Sequence, residues 1–230
     1  MLQLYDLAGA EDDRRFSPYC WRIKMALAHK GLAVETIPWR FTEKDRLAPT
    51  GQGRVPTLVD GDRWVWDSWT IAGYLEERYP DRPSLFGGGA GWALSRFYVD
   101  WTDTALHGAL IRLVVLDILD HCHPKDREYF RKSREERFGA PLETIVADRE
   151  ARLPALRDIL SPLRLTLRTQ PFLGGNEPLF PDYTVFGAFQ WARAISAFKL
   201  LAADDPVYAW RGRMLALHDS LAGNAKGYAV

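Results

Sequence analysis

Phe16-Ser17-Pro18-Tyr19-Cys20-Trp21-Arg22-Ile23-Lys24-Met25-Ala26-Leu27-Ala28-His29-Lys30-Gly31 reads as a helix whose first turn is its chemically active end. Ser17 suits the N-cap, because its hydroxyl can accept a bond from an orphan N–H of the first turn. Pro18 suits the first helical position, where no N–H is needed. Gly31 suits the exit, where a left-handed residue closes the helix. At roughly 100° per residue, Cys20, Ile23 and Leu27 share one face, with Arg22 and His29 opposite. Such a helix packs on an apolar layer and presents its N-terminus outward. That end carries free N–H groups and about half a positive charge, which suits an anion.

Outward from this helix, Leu2–Tyr5 reads as a strand and residues 7–15 as a polar loop. Val34–Ile37 is a second strand, stopped by Pro38, and Phe41–Gly53 is a polar loop with room for one helical turn. Val55–Val59 and Arg63–Trp66 flank Asp60-Gly61, a hairpin signal. Asp67 or Ser68 then caps a helix through Tyr79, with Ile71, Tyr74 and Leu75 inward. The order is βαβ followed by ββα, which predicts a mixed sheet with helices on its faces. Pro80, Pro83 and Gly87-Gly88-Gly89 mark residues 81–91 as a linker between domains of residues 1–80 and 92–230. Beyond it only helical periodicity appears: Trp92–Asp120, Lys125–Phe138, Leu142–Thr169 kinked or broken at Pro154 and Pro162, Asp182–Lys199 and Pro206–Leu221. The fold class expected is therefore α/β plus all-α.

Thirty basic residues balance thirty acidic ones, which argues against nucleic acid or an anionic membrane as the main partner. The apolar run Ala109–Leu119 holds Arg112 and Asp117 and is too short to span a bilayer. The N-terminus has neither the basic nor the long apolar region of a signal peptide. Two cysteines, Cys20 and Cys122, make no disulfide framework, so a reducing, cytoplasmic location is expected. Cys20, on the apolar stripe, reads as a buried and inert thiol. His121-Cys122-His123 has the composition of a metal site, but no second cluster supports it, so no metal is expected. Nine tryptophans suit either a Trp-rich core or an aromatic ligand pocket.

The Ser-Pro-Tyr-Cys opening of a βαβ–ββα domain resembles the thioredoxin fold. Three more features make the whole chain similar to soluble glutathione transferases. Arg54-Val55-Pro56 stands where that family keeps a cis-proline before the third strand. Asp67-Ser68 stands where it keeps an acid-Ser pair, and Phe180-Pro181-Asp182-Tyr183 resembles its buried aspartate turn. Leu179 replaces the Ser, Thr or Asn usual three residues before that Asp, leaving the capping box incomplete. With Asp67-Ser68-Trp69 and Tyr79-Pro80-Asp81-Arg82-Pro83, the first helix most resembles the bacterial β-aryl etherase branch and its fungal relatives.

The resemblance implies a cytoplasmic homodimer that binds glutathione as co-substrate and holds its sulfur as thiolate. A helix N-terminus contributes roughly 0.3–2 kcal/mol to an anion. A hydroxyl bonded to a charged acceptor adds about 1.5–3 kcal/mol. Together these would bring a thiol from about 8.5 to about 6–7, with Ser17 as the catalytic hydroxyl, unless it serves only as a cap. The backbone of Val55 would dock the cysteinyl unit as an added strand. Asp67 and Ser68 would hold the γ-glutamyl end, and Lys44, Arg40 or Arg54 the glycyl carboxylate. Tyr19, Trp39, Phe97 and Trp101, with Arg112 for charge, are candidates for the acceptor site of a small hydrophobic or aromatic molecule. The expected reaction is thiolate attack on an electrophilic carbon, with aryl-ether cleavage implied by the nearest branch. A glutathione-dependent reductase or isomerase, or a non-catalytic carrier of glutathione and aromatic ligands, remain open on the same scaffold.

Overall fold

Alternating apolar residues at the start of the chain form β1 (Leu2–Leu7), whose Leu2 and Leu4 are buried. A computed structural model describes residues 1–230 and places β1 inside a four-stranded sheet of order β2-β1-β3-β4. β2 (Val34–Trp39) runs parallel to β1, with Leu4 opposite Thr36. β3 (Thr57–Asp60) and β4 (Arg63–Trp66) form the antiparallel hairpin that Asp60-Gly61 signals. β3 pairs antiparallel with β1. β2 does not stop at Pro38 as expected, because it is an edge strand and the missing N–H breaks no second ladder.

α1 (Pro18–His29) and α2 (Ser68–Arg78) pack side by side. The loop after β2 holds a 3-10 helix over Lys44–Thr50, set against β4. α1 departs from the amphipathic expectation. Every residue from Cys20 to Leu27 is buried, Arg22 and Lys24 included. Its presumed polar face is covered by α9 (Phe180–Ile195), which runs as a spine through the helical domain with nearly every residue buried. A Cβ on Gly187 of α9 would lie 2.4 Å from the Pro18 carbonyl oxygen, so glycine permits the two backbones to touch. The charges on α1 are matched locally. Lys24 pairs with buried Asp6 at 2.8 Å, and Arg22 with Asp103.

α3 (Gly89–Trp101) runs into a π-helical turn, Thr102–Leu106, and then α4 (His107–His121), so the expected single long helix carries a bulge. α5 (Pro124–Phe138) follows, then α6 (Leu142–Val146), α7 (Arg149–Ile159) and α8 (Ser161–Thr166). Pro162 opens α8, whereas Pro154 stays inside α7. α10 (Pro206–Ser220) leaves helical geometry at Leu217–Asp219, short of the expected end at Leu221. Asp182 offsets the incomplete capping box at Leu179. Its carboxylate accepts from the N–H groups of Leu173, Gly174 and Leu179 and from the Trp210 indole, at 2.8–3.1 Å. Trp69, Phe86, Trp92 and Phe180 stack at the junction of the two domains, with ring centroids 4.5–6.0 Å apart. No helix is long and apolar enough to cross a membrane.

Candidate functional site

Ser17 sits at the mouth of the domain junction as the N-cap of α1, and its Oγ accepts the Cys20 N–H at 3.1 Å. The Ser17 carbonyl takes the Trp21 N–H, while the Tyr19 N–H has no acceptor in the protein. A hydroxyl that accepts with one lone pair still has its own hydrogen to donate. Ser17 lines a cavity of about 620 Å³ between the domains. The Cys20 side chain faces away from it into the core, and burial pushes its thiol well above the ordinary range, so it is inert as expected.

A second cavity of about 750 Å³ adjoins the first, and Tyr19, Lys44, Arg54, Val55 and Asp103 border both. Asp67 and Ser68 line it at the start of α2. Asp67 holds φ 71 and ψ 130, a conformation rarely adopted by a residue with a Cβ and costing about 1–3 kcal/mol. Its Oδ1 accepts from the N–H and hydroxyl of Thr70, at 3.0 and 3.2 Å. Its Oδ2 makes no bond within the protein. The Val55–Pro56 peptide is cis, as the resemblance implied, and neither the N–H nor the C=O of Val55 has a protein partner.

The expected cations divide. Lys44 and Arg54 reach both cavities, but Arg40 reaches neither: it pairs with Asp12 and donates to the Gly9 carbonyl at 3.2 Å. Of the expected acceptor-site residues, Tyr19 and Trp39 line the first cavity. Phe97, Trp101 and Arg112 do not. Phe97 is 66% exposed on the outer side of α3, Trp101 is half-buried outside both cavities, and Arg112 lies over the Phe138 ring. Helical spacing alone could not tell which side of α3 and α4 faces the other domain.

The wall opposite Ser17 comes instead from α4, α5 and α9: His107, Tyr129, Phe130, Arg134, Arg137 and Trp191. Asp126, Phe130, Arg134 and Arg137 recur every three or four residues, the one signal in the charged α5 sequence that could have shown this face. Asp126 fixes the wall in place. Buried at the start of α5, it accepts the Phe41 N–H at 2.9 Å, the Thr42 N–H at 3.2 Å and the Thr42 hydroxyl at 2.6 Å. The π turn sets Asp103 and His107 on one side of the helix, with His107 Nδ1 3.5 Å from Asp103 Oδ1. Burial, and then the Arg22 guanidinium, hold His107 well below the ordinary imidazole range, so it is neutral at physiological pH. The His121-Cys122-His123 run is dispersed. His121 bonds the Tyr228 hydroxyl at 3.0 Å, His123 caps α5, and Cys122 is a core thiol pushed up to about 12 by burial.

Two sequence profiles match. One, described as "Glutathione S-transferase, N-terminal domain", covers residues 13–83, and the other, "Glutathione S-transferase, C-terminal domain", covers residues 93–210. Glutathione S-transferase Z1 of Arabidopsis thaliana is 42% identical over 69 residues, 28% of this chain and 31% of that protein. A stringent starvation protein A homolog of Pasteurella multocida is 37% identical over 69 residues, 29% of this chain and 32% of that protein. The matches thus span about a third of these curated relatives. Among solved structures, two glutathione S-transferases of Ceriporiopsis subvermispora, each in complex with glutathione, superpose with TM-scores of 0.80 and 0.81. They are 22% and 21% identical, with 95% and 96% of this chain and 96% and 99% of theirs covered.

Proposed function

The chain belongs to the glutathione S-transferase family, and on that footing we propose that it activates glutathione as a thiolate for attack on an aromatic electrophile. The observation that carries the reading is the pairing of two adjoining cavities across the start of α1. The second cavity suits glutathione. The free Asp67 oxygen meets the γ-glutamyl ammonium, and the Ser68 hydroxyl meets its carboxylate. The unpaired Val55 N–H and C=O dock the cysteinyl unit, and Lys44 and Arg54 face the glycyl carboxylate. The sulfur then points into the first cavity, toward Ser17 and the free Tyr19 N–H.

In the reaction, the thiol proton leaves to solvent as the bound sulfur ionises. The sulfur forms a C–S bond to the electrophilic carbon, and the leaving group departs with its bonding pair. An aryl ether is the finer form of this proposal: the aryloxide is then the leaving group, and the first cavity, walled by Trp39, Phe41 and Phe130, has the apolar lining such a ring needs. Cys20, buried and without a thiol at position 17, supports displacement at carbon rather than thiol exchange. A reducing, cytoplasmic setting belongs to the same reading, since both cysteines are unpaired; fractionation of cells is its check.

Titration calorimetry with glutathione, beside turnover of 1-chloro-2,4-dinitrobenzene, tests the proposal. The protein should bind glutathione and accelerate the conjugation. Asp67→Ala should remove a charge-assisted bond of about 1.5–3 kcal/mol and weaken affinity roughly 10–150-fold. Binding without turnover would indicate a carrier. Unchanged affinity in a folded Asp67→Ala protein would remove Asp67 from the site.

A further inference from the structure

The first cavity carries more positive charge than glutathione can use. Lys44, Arg54, Arg134 and Arg137 line it, against the single carboxylate of Asp103, which Arg22 already holds. This occurs in a chain of zero formal net charge. Elsewhere most buried and half-buried cations are matched, buried Arg211 with its unpartnered Nε being an exception. Lys24 has Asp6, Lys30 has Glu76, Arg149 has Asp117 and Arg164 has Asp205. Arg193 donates to the carbonyls of Ala222, Gly223 and Ala225.

Arg134 breaks that pattern. It is half-buried, and its only hydrogen bond goes to the neighbouring Ser133 hydroxyl at 2.9 Å. Its guanidinium lies 5.4 Å from the Phe41 ring centroid and 4.7 Å from that of Phe130. Arg137, one turn on, lies 5.5 Å from the Phe138 ring and has no carboxylate partner either. Burial lowers Arg134 from its ordinary range. Arg137 follows it three residues on along α5, and both line the same cavity as Tyr19. Two like charges three residues apart on one helix repel. An anion between them would relieve the repulsion and supply the missing partner.

We propose that the acceptor is an aromatic electrophile bearing a carboxylate, with Arg134 and Arg137 holding that carboxylate while the ring lies among Trp39, Phe41 and Phe130. The proposal rests on the transferase reading and names the substrate class of the same site. A carboxylate fits better than a phenol, which is mostly protonated at neutral pH. The planar guanidinium offers the two parallel donors that a carboxylate accepts. The Asp126 bonds that tie α5 to residues 41 and 42 keep ring wall and cation pair in register.

The test compares 4-chloro-3,5-dinitrobenzoate with its methyl ester, which share ring and leaving group but differ in charge. Glutathione sulfur displaces chloride in both, and each enzymatic rate is divided by its uncatalysed rate. The wild-type protein should favour the carboxylate by about tenfold or more in kcat/KM. Arg134→Met and Arg137→Gln should each lower kcat/KM for the carboxylate about 10–100-fold further than for the ester. Arg137 is exposed, so its variant tests the proposal even where Arg134→Met fails to fold. Binding of 3,5-dinitrobenzoate and its methyl ester, followed by calorimetry, needs no turnover. Charge-selective binding without turnover would discard the transferase reading and retain the anion site. Equal binding of acid and ester, or equal losses for both in the variants, would overturn it.

Discussion

Ser17 can cap α1 and bond a ligand at once, because the Cys20 N–H occupies a lone pair of Oγ and leaves the hydroxyl hydrogen free. Capping also fixes the side chain, so that hydrogen is presented with little rotamer freedom left to lose. Asp67 shows a similar economy: one oxygen holds the start of α2 and the other is open to the second cavity. Its φ of 71 is sustained by that capping bond, and strain of this kind gathers where a side chain must be aimed. The two caps are legible in the sequence because caps and turns are local chemistry. That Arg40, Phe97, Trp101 and Arg112 lie outside both cavities is not, because which way a side chain turns depends on what lies across the fold. Arg40 is drawn off by Asp12, and Asp12 lies 28 positions away in the chain.

Among the elements, the strands and helices of the first domain could be read almost to their ends. Period-two alternation, the Asp60-Gly61 turn and the Ser17-Pro18 cap are all short-range signals. The polar face expected on α1 was wrong for a long-range reason. Arg22 and Lys24 look like solvent residues until Asp103 and Asp6 are brought to them by the fold. The contact of α1 with α9 was hidden for the same reason, since nothing local marks Gly187 as the point of approach. That contact positions the reactive end of α1. Gly187→Ala puts a methyl group 2.4 Å from the Pro18 carbonyl oxygen, so one backbone must move. We expect a loss of about 1–3 kcal/mol in a denaturant titration. Turnover measured well below the unfolding transition should fall as well, because Ser17 moves with Pro18. Unchanged turnover in a destabilised protein would separate this contact from the site.

For the whole molecule, the large apolar side chains serve several places at once. Trp69, Trp92, Phe86 and Phe180 cement the domain junction, while Trp39 and Trp191 line the first cavity, so the Trp-rich core and the aromatic pocket coexist. A third set is uncovered. Leu94 and Phe97, one turn apart on α3, are 67% and 66% exposed. We propose that a second copy of the chain covers them, as the family resemblance implies. Water contact at two large apolar side chains is otherwise uncompensated. Sedimentation equilibrium at micromolar concentration should give about twice the 26.2 kDa chain mass. Phe97→Glu should shift the protein toward monomer with its circular dichroism intact. A wild-type monomer would reject the dimer.

If this fold holds the glutathione sulfur as an anion at Ser17, the ultraviolet absorbance of the thiolate in the glutathione complex, titrated against pH for the wild-type protein and Ser17→Ala, shows it directly. Ionisation should centre at about pH 6–7 in the wild type, against about 8.5 for a free thiol. For Ser17→Ala the midpoint should lie about one to two units higher, the size of one hydrogen bond to a charged acceptor. A bound thiol that ionises no earlier than a free one, or a midpoint that Ser17→Ala leaves unmoved, would contradict it.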